Sequence, residues 1–221
     1  MRNFIEMISI NSQTINQIAN CLLEYEAVKI RPEKPFVWSS GWLSPIYCDN
    51  RRLLSFPDAR KLVVQGFIET IEREQIHFDG ILGVATGAIA YGALIAAHFD
   101  VPFAYVRPSH KGHGLENQVE GFIQPTKKYL MIEDLISTGE SSYKAVLASQ
   151  KAGADVIKVF AIFTYGFPAS QQRFNIIPVV CLCDFEHLLT VAATRNYFSE
   201  EKIPELLAWK AAPESWRQKK N

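Results

Sequence analysis

Apolar residues recur along this chain in two alternating periods, and the alternation predicts an open sheet of strands joined by helices. Within Ser12–Tyr25, Ile15, Ile18, Ala19, Leu22 and Leu23 fall three and four apart behind a Ser or Asn cap, which predicts an amphipathic helix. The stretch 57–75 repeats that spacing with Leu62, Val63, Phe67, Ile68 and Ile71. Between them, 31–52 holds Pro32, Pro35 and Pro45 with Ser-Ser-Gly and Asp-Asn turns, which predicts short strands and loops covering a site. From residue 80 the pattern predicts strand 80–84, helix 88–97, strands 103–107, 119–123 and 129–132, helix 141–151, strand 156–164, a helix near 169–174 and strand 177–183. Such alternation implies an α/β fold, a mostly parallel central sheet flanked by helices, with ligands at the carboxyl ends of the strands. The chain reads as a single domain of three stretches: an N-terminal helix and hood over about 1–55, a core over about 56–185, and a C-terminal helical segment over about 186–221. In the last, Ile203, Leu206, Leu207 and Trp209 are expected to pack.

Composition agrees, since 221 residues with 48% hydrophobic and 21% charged content can bury a substantial core. Lys plus Arg equals Asp plus Glu at 23 each, so no global basic excess points to nucleic acid, and any anion must be bound by local loops. No apolar run reaches the length of a membrane span, and the start, 1–6, lacks a signal peptide's apolar stretch, so a cytoplasmic location is expected. Cys21, Cys48, Cys181 and Cys183 form no CxxC pair and read as reduced packing residues.

The densest chemistry lies in Tyr129-Leu130-Met131-Ile132-Glu133-Asp134-Leu135-Ile136-Ser137-Thr138-Gly139-Glu140-Ser141-Ser142. An apolar strand runs through two carboxylates and a small-residue turn into a helix. Free backbone amides and the positive end of the helix dipole favour a phosphate at that turn, and the hydroxyls of Ser137, Thr138 and Ser141 add donors. The acids would repel a phosphate they faced, so they suit sugar hydroxyls or hydrated Mg²⁺, and a phosphorylated sugar bound with Mg²⁺ fits both halves. The same string also reads as a capped strand–helix turn with solvated acids. A second small-residue junction, Gly83-Val84-Ala85-Thr86-Gly87-Ala88-Ile89-Ala90, can present further amides, although close packing accounts for it equally well. The segment 107–117 carries Arg107, His110, Lys111 and His113 together with Gly112 and Gly114, a pattern that suits a cationic lid or an exposed basic loop.

The 129–142 string resembles the phosphoribosyl-diphosphate (PRPP) signature of the type I phosphoribosyltransferases. Arg107-Pro108-Ser109-His110-Lys111-Gly112-His113-Gly114 followed by Asn117-Gln118-Val119-Glu120-Gly121 resembles the mobile loop and following strand of orotate phosphoribosyltransferases. Phe36-Val37-Trp38-Ser39-Ser40-Gly41, Ser44-Pro45-Ile46-Tyr47-Cys48-Asp49-Asn50-Arg51 and Phe163-Thr164-Tyr165-Gly166-Phe167 continue the match in the family's order. The resemblance implies transfer of the phosphoribosyl group of PRPP to orotate, giving orotidine 5′-monophosphate and pyrophosphate in pyrimidine biosynthesis, with Mg²⁺. It implies Lys111, His113 and Asp134 as catalytic residues, and Arg107, Lys111, His113, Glu133, Asp134, Ser137, Thr138, Gly139, Glu140 and Ser141 around PRPP. Ala85, Thr86, Gly87 and Ala88 become the pyrophosphate loop, and Tyr47, Asn50, Arg51 and Thr138, with 163–165 nearby, the orotate side. It also implies a homodimer in which the loop completes the neighbouring site.

Three positions depart from the commoner pattern. Ser39 and Pro108 stand where many members carry lysines, and Glu140 stands where a glycine is common, so its carboxylate must turn away from a bound phosphate. A phosphoribosyltransferase for a purine or uracil would share the PRPP turn without reason to carry Lys111-x-His113-Gly114. A PRPP-sensing regulator would have no need to retain both acids with Lys111 and His113.

Overall fold

Asn11 accepts the Gln13 amide in its side chain, and α1 (Ser12–Glu24) follows with Ile18, Ala19 and Leu22 fully buried. The computed structural model describes residues 11–38, 40–107 and 118–217. Ser39, Pro108, His110, Lys111 and His113 lie outside the described residues. The hood consists of β1 (Val28–Ile30), β2 (Phe36–Val37), β3 (Leu43–Ser44) and β4 (Ile46–Cys48), in which β1 pairs only with β4 and β2 only with β3. A 3₁₀ turn over Asn50–Ser55 leads into α2 (Pro57–Arg73), whose proline sits in the first turn, where no amide proton is required.

The core follows as β5 (Gly80–Val84), α3 (Ile89–Phe99), β6 (Phe103–Val106), β7 (Val119–Glu120), β8 (Lys128–Ile136), α4 (Glu140–Lys151), β9 (Asp155–Thr164), α5 (Pro168–Arg173), β10 (Val179–Asp184), α6 (Phe185–Thr194) and α7 (Ile203–Ala211). The six-stranded sheet has the order β10-β9-β8-β5-β6-β7 and is parallel except for β7, which runs antiparallel to β6. Residues of both pleat faces are buried. Leu130, Ile132, Phe160 and Ile162 join the larger core beside α1, α2 and α6, while Leu82, Met131, Val159 and Ala161 join a second core beside α4. This explains why the strands read as near-continuous apolar runs.

Two departures from the sequence expectation bear on the site. The strand expected over 129–132 continues to Ile136, because Glu133, Leu135 and Ile136 keep pairing with Ala161, Phe163 and Thr164 of β9. The acids therefore ride on a paired strand, which fixes them more firmly than a turn would. The strand expected over 119–123 stops at Glu120: Gly121 takes a φ of +105° with its backbone against Ala104, and the ladder ends there. At the other end of the chain, Leu206 and Trp209 are fully buried as expected, whereas Leu207 is exposed.

Candidate active site

Parallel pairing of Gly80–Gly83 with Tyr129–Ile132 brings the carboxyl ends of β5 and β8 side by side. Each strand leaves the sheet through a small-residue junction into a helix, so the two junctions face one another. Their contact is direct: a Cβ on Gly87 would stand 2.1 Å from the Asp134 Oδ2, so the Asp134 carboxylate lies on the bare glycine backbone. On the other junction Gly139, the N-cap of α4, has a φ of +75°, and any Cβ there would meet the Phe174 ring at 2.9 Å. Arg173 of α5 donates to the Thr138 carbonyl at 3.1 Å, bracing the turn from behind.

A cavity of about 340 Å³ opens between the junctions. Ala85, Thr86 and Gly87 line one wall, and Glu133, Asp134, Ser137, Thr138, Gly139 and Ser141 line the opposite one. Cys48, Asp49 and Arg51 close the hood side. Ala88 is fully buried under this floor. A second cavity of about 600 Å³ adjoins the first at Cys48, Leu135, Ser137 and Thr138, and it is walled by Val37, Trp38, Trp42, Tyr47 and Tyr165 with Ser40 and Glu140.

The acids differ in environment. Glu133 is 4% exposed, with one oxygen accepting the Ser142 hydroxyl at 2.7 Å and the other the Asp134 amide at 3.0 Å. Burial, then the neighbouring Asp134 carboxylate, pushes the Glu133 carboxyl well above the ordinary carboxylate range. Asp134 is partly exposed and borders the open cavity. Glu140 turns aside to pair with Lys144 at 2.6 Å, and that ammonium holds its carboxyl below the usual value. Arg51 grips Asp49 through two nitrogens at 2.6 and 3.0 Å, which lowers the Asp49 carboxyl.

Among the sequence-derived candidates, the two junctions, Glu133, Asp134, Arg51 and Tyr47 come together around the adjoining cavities. Arg107 lines neither; it pairs with Glu120 at 3.0 Å at the stem of β6 and β7. Asn50 lies beneath the site rather than in it. It is 1% exposed, donates to the Asp134 carbonyl at 2.5 Å and accepts the Cys48 thiol at 3.3 Å. Burial raises the Cys48 thiol well above its ordinary value, so that thiol remains a donor. Phe163 and Thr164 are likewise buried, Thr164 donating to the Ile136 carbonyl, and Tyr165 alone of that trio reaches a cavity. Sequence reasoning assigned no role to Ser142, Arg173 or Trp42, and read Cys48 as packing alone. Ser142 could have been found from its place one turn into a helix that starts beside a buried acid.

Residues 56–186 match the phosphoribosyl transferase domain family, and the chain is 45% identical over 201 residues to the orotate phosphoribosyltransferase of Porphyromonas gingivalis, covering 90% of this chain and 96% of that protein. The chain belongs to the orotate phosphoribosyltransferases. Within that family it is also 43% identical to the Streptococcus sanguinis enzyme over 203 residues, 91% of this chain and 97% of that protein. The orotate phosphoribosyltransferase structure from Aeropyrum pernix superimposes with a TM-score of 0.71 at 27% identity, covering 82% of this chain and 99% of that one. UMP synthase of Leishmania donovani shares the fold, with a TM-score of 0.75 at 22% identity over 90% of this chain and 42% of that one. The hood and the two strand–helix junctions thus lie within a matched length that spans most of the chain.

Proposed function

We propose that the cleft transfers the 5-phosphoribosyl group of PRPP to orotate, giving orotidine 5′-monophosphate and pyrophosphate, and that the two adjoining cavities divide the substrates. The observation that carries this reading is the Asp134 carboxylate lying on the bare backbone of Gly87, between two amide-presenting junctions and open to an aromatic-walled space. In this reading the Ser137–Ser141 turn grips the 5′-phosphate through main-chain amides and hydroxyls at the start of α4. The Ala85–Ala88 junction meets the pyrophosphate end. Asp134 accepts ribose hydroxyls. Glu133, engaged with Ser142, keeps Asp134 in register through the Asp134 amide.

Orotate belongs to the larger cavity, where Tyr47, Trp38 and Tyr165 supply aromatic walls and Thr138 and Ser137 supply polar edges. Arg51 is the cation at the hood side, supporting either the orotate carboxylate or the phosphates. N1 of orotate attacks C1 of the ribose as the bond to pyrophosphate breaks, the electron pair leaves with pyrophosphate, and the N1 proton passes to the departing pyrophosphate or to solvent water. What the chain contributes is positioning and fixed dipoles in a site shielded from water.

Mg²⁺ fits the donor set. Asp134 offers hard carboxylate oxygens to the cavity, Asp49 is occupied by Arg51, and the described residues hold no group of three or more His, Cys, Asp or Glu arranged as a metal cage. Such a site suits a cation that arrives with substrate phosphates and is held by Asp134 directly or through water. When bound, it would supply charge neutralisation on the leaving pyrophosphate. The loop 107–117, with Lys111 and His113, acts in this proposal as a lid serving the neighbouring subunit of a homodimer. Its cations with Gly112 and Gly114 beside them support that role, as does the closely paired stem where the Arg107 amide donates to the Gln118 carbonyl at 2.8 Å. Hood, core and C-terminal segment act as one catalytic unit. Among the described residues no helix is long and apolar enough to cross a membrane, which fits the proposed cytoplasmic setting.

The deciding experiment is a steady-state assay with PRPP and Mg²⁺ against orotate, uracil, adenine and hypoxanthine in parallel. Turnover of orotate alone is expected. Preference for a purine or uracil would move the chain to another base, and PRPP binding without turnover would favour a sensor.

A further inference from the structure

The C-terminal segment touches the hood at several points. Lys202 pairs with Glu33 at 2.6 Å, Arg217 donates to the Pro32 carbonyl at 2.9 Å, and the Trp209 ring meets Trp38 edge-on at 5.7 Å between centroids. The hood strand is short of other support, because among the described residues β2 and β3 pair only with each other. A lone two-stranded ribbon is marginal in water, so its place is set by what it leans on. Trp38 is the pivot. Its indole N–H donates to the Ile46 carbonyl at 3.1 Å, tying β2 to β4, while its ring packs on Tyr165 at 5.3 Å. Trp38 and Tyr165 both wall the larger cavity. Behind both stands Trp209, fully buried and T-shaped to Tyr165 at 5.6 Å. It does not line the cavity, its indole N–H has no acceptor among the described residues, and its ring also packs on Phe167 and Phe185, each at 5.4 Å.

We infer that Trp209, with the α7 segment that carries it, is a positioning residue for the base side of the cleft: it fixes Trp38 and Tyr165 and thereby the wall that orotate meets. This rests on the proposal that orotate occupies the larger cavity. The phosphate side leans on it less, since both junctions are built on central strands of the sheet and Trp209 lines neither cavity. Loosening α7 should therefore separate the two substrates kinetically, which general loss of structure would not do.

The test compares KM for orotate and for PRPP in the full-length enzyme, with thermal melting to establish folding. Trp209→Ala should raise KM for orotate roughly tenfold and change KM for PRPP by less than about twofold, as loss of buried ring contacts on one side requires. Trp209→Phe, which keeps an aromatic ring there, should hold KM for orotate within about threefold of wild type. Glu33→Lys should raise it about twofold, and the swap Glu33→Lys with Lys202→Glu should restore it, as expected of an exposed pair. Equal movement of both KM values, or of neither, in a folded Trp209→Ala enzyme overturns the inference. If that variant does not fold, the charge pair decides: no rise in Glu33→Lys, or no restoration in the swap, overturns it. Wild-type enzyme that fails to turn over orotate overturns the functional proposal and this inference together, whereas orotate turnover with unsplit KM values overturns the inference alone.

Discussion

The smaller cavity is walled mainly by two stretches of contiguous sequence, 84–87 and 133–141, each a strand running into a helix, with Cys48, Asp49 and Arg51 of the hood closing one side, whereas the larger one is walled mainly by the hood and Tyr165 at the end of β9 and shares Cys48, Leu135, Ser137 and Thr138 with the first. The first presents main-chain amides and a carboxylate on central strands of the sheet, where neighbours on both sides fix the backbone. The second presents aromatic faces on a two-stranded ribbon whose position depends on side-chain packing. Charge needs donors fixed before the ligand arrives, because an oriented dipole that must reorganise loses much of its effect. A planar base needs shape and apolar area, which packed rings supply at a site that can still open.

That difference predicts where damage should fall. The largest effect belongs to the proposed phosphate side: chelation of Mg²⁺ should remove turnover, since among the described residues Arg51, already paired with Asp49, is the one cation lining either cavity, and full activity in chelator would sink the Mg²⁺ proposal. Asp134→Asn should lower kcat/KM for PRPP by about 10²–10³-fold while leaving melting nearly unchanged. Pairing that variant with Lys111→Ala tests the shared lid. Mixed chains should recover roughly a quarter of wild-type activity, because about half the dimers are mixed and each then holds one intact site. No recovery despite demonstrated subunit exchange would return Lys111 to its own chain's site.

Next in size is Gly87→Ala. The added methyl would overlap the Asp134 carboxylate, so either the junction or the acid must shift, by something approaching an ångström. A displacement of that order at reacting groups costs up to about 10²-fold, and we expect a loss of ~10–100-fold in kcat/KM for PRPP with KM for orotate nearly constant. A variant with wild-type kinetics would show that the contact is not used in catalysis.

Asn50→Ala should act on both regions at once, which makes it a test of the boundary between them. Its amide joins the Asp134 carbonyl to the Cys48 thiol, so truncation leaves buried partners unsatisfied at a cost of about 1–3 kcal/mol. For a chain of this size that corresponds to a fall in Tm of roughly 2–4 °C per kcal/mol. Both KM values should rise together, and a change confined to either substrate would contradict the bridging role.

Asn50 also marks the limit of what the chain discloses before it folds. Local features were readable because their physics is local: the turn with Gly139 and hydroxyls at a helix start, the apolar strands and the spacing in α1 all depend on neighbours in sequence. The continuation of β8 through Glu133 was not readable, since its cause is pairing with β9 nearly thirty residues away. An asparagine beside a proline-rich hood looks like a ligand-facing residue, and only the long-range contact with Asp134 shows it to be a buried tie. Trp209 likewise declared itself as packing by helical spacing, but which surface it packs on is a property of the tertiary fold. The smaller cavity was thus largely legible and the larger one only in its aromatic composition.

The smallest effect expected concerns the contrast between the two acids, and it is read from stability. Glu133 has a folded-state pKa raised by burial and by Asp134, so between the ordinary carboxylate value near 4.5 and the raised one the folded chain binds a proton that the unfolded chain releases. Unfolding therefore becomes easier as pH rises through that window, and this destabilisation is absent below the ordinary value. Glu133→Gln cannot ionise, yet its amide can still accept from the Asp134 N–H and donate to the Ser142 hydroxyl. The variant should melt about 2–4 °C higher than wild type at pH 8, on the order of 1 kcal/mol, and the gap should close as pH falls towards 4. A gap that is constant with pH would mean that Glu133 is ionised in the folded chain, held by Ser142 and the Asp134 amide as a charge. The contrast between a buried Glu133 raised by its surroundings and the cavity-facing Asp134 would then fail.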